Sequence, residues 1–206
     1  FLMLRRPPRS TLFPHTTLFR SRLEYMIAIL KDCQDRYDND QTGLYGFIGG
    51  QPINESWQAL WRGDLSKIRG NWGWVPFYCQ HKVLAGLRDA YLYGENETAK
   101  ELFRKLADWS VNLIAKVSDN DFQDFLNCEH GGMNESLLDA YQLFGDQKYL
   151  KAAKRFSHKA MIDGMQTVNT TFLDGKHANT QVPKYIGFER IYEADATQIA
   201  YRKAAE

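Results

Sequence analysis

The strongest constraint in this 206-residue chain is a repeat of about fifty residues. Leu87-Arg-Asp-Ala-Tyr91, Leu137-Leu-Asp-Ala-Tyr141 and Phe188-Glu-Arg-Ile-Tyr192 hold equivalent places in three successive stretches, their tyrosines 50 and 51 residues apart. Each motif lies in a run with apolar residues at helical spacing, and each run is followed by a turn signal and a second helical run. His81, His130 and His177 stand near the start of the first run each time, 49 and 47 residues apart. A two-helix unit repeating at this length leaves an open α-solenoid or a closed ring of helical hairpins. A solenoid has no need to set a histidine at the same end three times. The ring is therefore the expected architecture: all-α, with alternate helices as an inner wall and the three histidines meeting at one mouth.

The elements run in this order. Arg22 to about Arg36 reads as a helix, with Leu23, Met26, Ile27 and Leu30 on one face and the polar turn Asp38-Asn39-Asp40 after it. From Gly43 to Trp74 comes a long connection containing Leu44-Tyr-Gly-Phe-Ile-Gly-Gly50 and Trp57, Trp61, Trp72 and Trp74. It is too aromatic for disorder and is expected to fold over something; short strands are admitted only there. Pro76 opens a helix through Val83, Leu84, Leu87 and Tyr91, and Gly94-Glu95-Asn96 turns into a second through Leu102, Leu106, Trp109 and Leu113. Glu129-His-Gly-Gly-Met-Asn-Glu135 is a glycine elbow feeding a helix marked by Leu137, Leu138, Tyr141 and Phe144. Gly145-Asp146 leads to its partner with Tyr149, Leu150, Ala153 and Phe156. Past residues 169–175, His177-Ala-Asn-Thr-Gln-Val-Pro183 leads into a helix through Ile186, Phe188 and Tyr192, with Ala196 to Glu206 as its partner.

Composition removes several classes of function. No stretch approaches the 18 or so uninterrupted apolar residues of a membrane span. Cys33, Cys79 and Cys128 are odd in number and widely spaced, without a C-x-x-C pattern, so neither a disulfide framework nor a cysteine zinc site is expected. The net charge of +1 hides an asymmetry: residues 1–21 carry Arg5, Arg6, Arg9 and Arg20 and no acid. No basic face continues beyond them, and no nucleic-acid partner is expected. Ser10 to Ser21 closely resembles the translation of a common sequencing-adapter oligonucleotide. Residues 1–21 are therefore set apart as a non-native segment and the domain is drawn from 22 to 206.

The chemistry belongs to the histidine mouth. Imidazoles and amides donate and accept together, as a polyhydroxylated ligand requires, and Trp and Tyr of the long connection are expected to supply stacking faces. The substrate-binding candidates are His81, Glu129, His130, His177 and Asn179. Three histidines with Glu129 also admit a zinc site, though without the close i, i+4 ligand spacing usual on a helix. Glycoside hydrolysis uses two carboxyl groups; Glu129, Glu135 and Asp174 are the visible candidates, and no facing pair stands out, so no catalytic residue is assigned.

Val75-Pro-Phe-Tyr-Cys-Gln-His-Lys82, Ala85-Gly-Leu-Arg-Asp-Ala-Tyr91, Glu129 to Glu135, Arg155-Phe-Ser-His158 and His177 to Lys184 together resemble glycoside hydrolase family 127, the β-L-arabinofuranosidase family. Gly43 to Gly50 resembles its glycine-rich loop. The resemblance runs from about residue 22 to the end. It implies an (α/α)6 barrel, of which this chain is about half the ring, and a retaining mechanism. It also implies a cysteine nucleophile on a zinc ion held by three cysteines and a glutamate, and contact of His81, His130 and His177 with the arabinofuranosyl ring of a carbohydrate substrate. In the family the nucleophile, acid/base glutamate and metal ligands come later than the part matched here. Cys33, Cys79 and Cys128 match none of them, so no metal role is carried over. Zinc is expected of the full-length enzyme, and neither bound zinc nor activity of this fragment, whose open half-ring is expected to leave apolar surface uncovered. Two other classes remain: a non-catalytic helical-repeat carbohydrate-binding module, and a toroid enzyme of the sugar-epimerase kind, with histidines moving protons.

Overall fold

A computed structural model describes residues 15–37, 43–50, 55–65, 75–127, 130–167 and 170–206. Among them are ten α-helices and one 3-10 turn, Thr170–Leu173, and no strand. The helices are α1 His15–Asp35, α2 Glu55–Trp61, α3 Pro76–Leu92, α4 Glu97–Ile114, α5 Asp119–Phe125, α6 Met133–Phe144, α7 Gln147–Arg155, α8 Lys159–Met165, α9 Ala178–Ala194 and α10 Ile199–Ala205. None is long and apolar enough to cross a membrane. The expected pairs are present as hairpins α3–α4, α6–α7 and α9–α10. Asn96 caps α4 by accepting from the Ala99 N–H, Asp146 caps α7 through Lys148 N–H, and Gly145 closes α6 with a left-handed φ of 73°.

Five helices differ from the sequence reading. α1 starts at His15, seven residues early, because no glycine or proline stands between His15 and Arg22 to stop it. α2 forms inside the long connection: Trp57 and Leu60, one turn apart, are both buried and fix a helical turn there. Short helices α5 and α8 precede the inner helices α6 and α9, too brief to show a period. α9 begins ahead of Pro183 rather than after it. Six residues into the helix, the proline gives up only the bond its N–H would make to the Asn179 carbonyl near the helix start.

The repeat is real in space. Gly132 bonds His81 at a separation of 51 residues, Asn134 bonds Lys184 at 50, and Arg190 bonds Asp139 at 51. Contacts at one repeat length, near the starts and again further along, mean that α3, α6 and α9 lie side by side, parallel and in register. The hairpin partners α4, α7 and α10 run back along them. The main core lies between the layers and is strongly aromatic. Trp57 meets Phe47, Phe77 and Trp109 at ring separations of 5.7, 5.7 and 5.2 Å, and Phe77 meets Phe156 at 5.1 Å. These are mostly edge-to-face pairs, which add to the burial of large apolar rings. Trp57 is thus a core residue and not the stacking face expected for the long connection; Trp72 and Trp74 lie outside the described residues.

Candidate active site

The site is built where α3, α6 and α9 begin. Gln80 and His81 face inward from the second turn of α3 and are buried. Against them lies the glycine elbow. Gly131 has φ +58°, and a Cβ there would stand 2.7 Å from His81 Nδ1; a Cβ on Gly132 would stand 2.9 Å from Nε2. Two glycines are needed because the backbone itself packs on the imidazole. The Gly132 N–H donates to His81 Nδ1 at 3.0 Å. With Nδ1 accepting, the neutral ring carries its proton on Nε2. Nε2 faces Glu135 Oε2 at 3.8 Å, too far for a direct bond. Burial works to raise the Glu135 carboxyl, but the attraction of His81, with Arg190 and Arg88 behind it, outweighs burial and holds it below the ordinary glutamate range.

The second half of the site is organised by α9. Lys184, fully buried, sets its ammonium 3.1 Å from His158 Nδ1 and donates to Gln181 Oε1 at 2.9 Å. A lysine ammonium only donates, so His158 Nδ1 accepts and its proton, too, sits on Nε2. Burial first, then the charges of Lys184 and Lys176, push His158 down to about 4, leaving it neutral. The His158 and Phe156 rings each lie 6.4 Å from the ring of His130, which is completely buried. Asn134 Nδ2 reaches the Lys184 carbonyl at 2.9 Å and ties the start of α6 to α9.

One turn below Glu135, Asp139 bridges the three inner helices. Its carboxylate meets Arg88 of α3 at 3.1 Å and Arg190 of α9 at 2.7 Å. Burial pushes this carboxyl up, against the pull of Arg190 and Arg88. These motif residues therefore fasten the inner wall and hold positive charge behind Glu135.

Of the residues singled out from sequence, His81 and His130 are joined through the elbow between them. His177 stands just ahead of the first turn of α9 without a side-chain capping bond and is exposed, its Nδ1 3.4 Å from Thr180 Oγ1; Asn179, two residues on, is exposed as well. Glu129 and Cys128 lie outside the described residues. Of the other carboxyl candidates, Asp174 is exposed ahead of α9 while Glu135 stands at His81. Sequence reasoning missed His158, Lys184 and Gln181 as parts of the site. The fifty-residue period, applied residue by residue, sets Lys184 beside Asn134. Zinc does not fit what is described: no three His, Cys, Asp or Glu side chains converge on one point among these residues, and Cys33 and Cys79 are exposed on separate helices.

In-register helical hairpins with imidazole N–H donors beside an ionised carboxylate at one end define an all-α scaffold suited to hydroxyl-rich ligands. That class includes the helical-hairpin glycoside hydrolases. The chain matches the family described as "Beta-L-arabinofuranosidase, GH127 catalytic domain" over residues 14–206, and it belongs to that family. The match starts eight residues ahead of the boundary drawn at residue 22. Comparison with curated proteins gives no match.

Proposed function

We propose that this chain forms the substrate-holding wall of a retaining hydrolase that releases L-arabinofuranose from β-L-arabinofuranosides, and that the 206 residues alone do not turn substrate over. The observation that carries the reading is the gap between His81 and Glu135. A sugar hydroxyl placed there accepts the Nε2–H of His81 and donates to the Glu135 carboxylate, which stays ionised under the influence of His81, Arg190 and Arg88. Hydroxyl groups bind best where one donor and one acceptor converge, as here. His130, Glu129, His177 and Asn179 are counted as further sugar contacts on the strength of the family resemblance. The inner helices belong, on this reading, to part of an (α/α)6 ring.

The zinc that the family resemblance implies would be held by residues other than those described.

The test is hydrolysis of an aryl β-L-arabinofuranoside by this chain and by the protein extended along its own reading frame in source DNA. The extended protein is expected to bind zinc and to release β-L-arabinofuranose as first product. The present chain is expected to bind arabinose without turnover. Interconversion of free sugars would replace the reading with an epimerase, and binding without hydrolysis by the extended protein would make it a carbohydrate-binding module.

A further inference from the structure

Lys184 is fully buried in α9. Taking an ammonium out of water costs more than burying a methionine of similar length, so a gain in stability is a poor reason for a lysine here. Its contacts are more informative.

They fall on both sides of His130. The ammonium donates to His158 Nδ1 at 3.1 Å, and the His158 ring lies 6.4 Å from the His130 ring, inclined to it at 67°. The Lys184 carbonyl accepts from Asn134 Nδ2 at 2.9 Å, across the glycine elbow from His130. Gly187 permits this approach, because a Cβ there would collide with the Asn134 amide. One residue of α9 thus grips the ring beside His130 and the start of the helix that follows it.

The backbone around His158 is fixed by other bonds. The Arg155 guanidinium donates to the Ile114 and Val117 carbonyls at 2.9 and 2.6 Å. The Gln123 amide donates to the Ser157 carbonyl at 3.2 Å, and its oxygen accepts the Lys159 N–H at 2.8 Å. These bonds place the main chain on either side of His158 and leave its ring orientation to side-chain partners. An ammonium donates and never accepts, so it admits only the tautomer with Nδ1 bare. A hydroxyl in the same place would admit both.

We infer that Lys184 is a positioning residue: by holding the His158 ring in one tautomer and orientation it fixes where the His130 imidazole stands, and so how well the site takes a sugar. The inference rests on the carbohydrate reading above. Lys184 acts through His158 and not by touching the sugar.

The test is L-arabinose binding to the 206-residue chain by titration calorimetry, with histidine ring ¹⁵N spectra and urea unfolding on the same samples. Lys184→Met keeps the length of the side chain and removes the donor. It is expected to weaken arabinose about fivefold, to shift the ring signals of His158 and His130, and to leave the urea midpoint level or higher. In a His158→Gln background the same change is expected to cost less than about twofold, since the lysine then has no imidazole to hold. Unchanged affinity in Lys184→Met overturns the inference, as does an equal loss in both backgrounds. A loss that follows a lowered urea midpoint, with the His130 signal unmoved, overturns it too and makes Lys184 a packing residue. Should Lys184→Met not fold, Gln181→Met takes away the other acceptor that aims the ammonium. It is expected to move the same signals with a loss of about twofold, and unmoved signals overturn the inference. Failure of the unaltered chain to bind arabinose sinks the carbohydrate reading as well, whereas the other adverse outcomes leave that reading standing.

Discussion

The starts of α6 and α9 are built from the same plan and end in different surroundings. Each comes after a histidine, each runs into a tyrosine one repeat from the other, and each packs on the inner helix one repeat before it, α6 on α3 and α9 on α6. His130 is nevertheless fully buried and His177 is exposed. The difference lies in the neighbours. α6 has α3 on one side and α9 on the other, and it takes polar contacts from both: His81 on Gly132, Lys184 on Asn134, and Arg88 and Arg190 on Asp139. α9 meets α6 on one side, while Val182 and Ile186 on another face are half exposed. Phe188 packs in a small separate cluster with Met161, Ile162 and Ala204. A repeat fixes where along a helix a side chain sits. Whether it is buried depends on the next helix.

The largest effect that tests this contrast is at Asp139. Replacing it with alanine removes the buried carboxylate that Arg88 and Arg190 share and leaves them only the exposed Asp89 and Glu193, and a loss of about 3 kcal/mol is expected. Asp195→Ala removes the partner of Lys154 at the less covered end and is expected to shift the urea midpoint far less. Equal shifts for the two variants would mean that α6 is no better enclosed than α9.

Next comes the elbow. Gly131→Ala combines a left-handed backbone with a collision against His81, for an expected cost of about 2–3 kcal/mol. Gly145→Ala has a similar φ but open space around the added methyl, so about 1 kcal/mol is expected. The same pair separates backbone strain from site geometry, since only Gly131→Ala should alter the ¹⁵N signature of the His81 tautomer. An unchanged signature would mean that the imidazole is held by something other than the elbow.

Legibility in the sequence divides along the same line. The repeat, the hairpins, the elbow and the burial of Leu102, Leu106, Trp109 and Leu113 can all be read from local pattern, because each depends on periodicity or a breaker within a few residues. The role of Trp57 cannot, because a tryptophan in a long connection reads alike whether it meets a ligand or, as here, three other rings. Lys184 is hidden differently. A lysine near a helix start reads as surface, and its burial depends on His158 and Gln181 supplying acceptors. His158 itself closes a motif but precedes a seven-residue helix whose period is too short to place it.

His158 also gives the contrast a pH dependence. Its folded-state pKa is lowered from 6.5 to about 4, so the unfolded chain takes up this proton first as the solution is acidified. Stability from this group is complete above pH 6.5 and is lost as pH falls toward 4, by about 2 kcal/mol after allowing for partial solvent access. His158→Gln is expected to flatten that limb in urea unfolding measured from pH 7 to pH 4. His177→Gln should leave the His158 contribution in place. A limb that survives His158→Gln would assign it to another group.

The smallest expected effect lies on the open face of α9. Ile186 is half exposed, so a change to serine removes little area already withdrawn from water, and stability should move by no more than about 0.5 kcal/mol. Two residues on, Phe188 is fully buried, and its change to alanine should cost about 3 kcal/mol or more. One helix thus carries its own control. What Ile186→Ser should change is solubility, because it interrupts an apolar strip shared with Val182. The decisive comparison is the unfolding of Ile186→Ser and the unaltered chain at two protein concentrations. A loss above about 1 kcal/mol that grows with concentration would mean that a second chain covers α9 in solution. A concentration-independent near-zero loss, with less aggregation, would mean that α9 presents this face to water while α6 is enclosed on both sides.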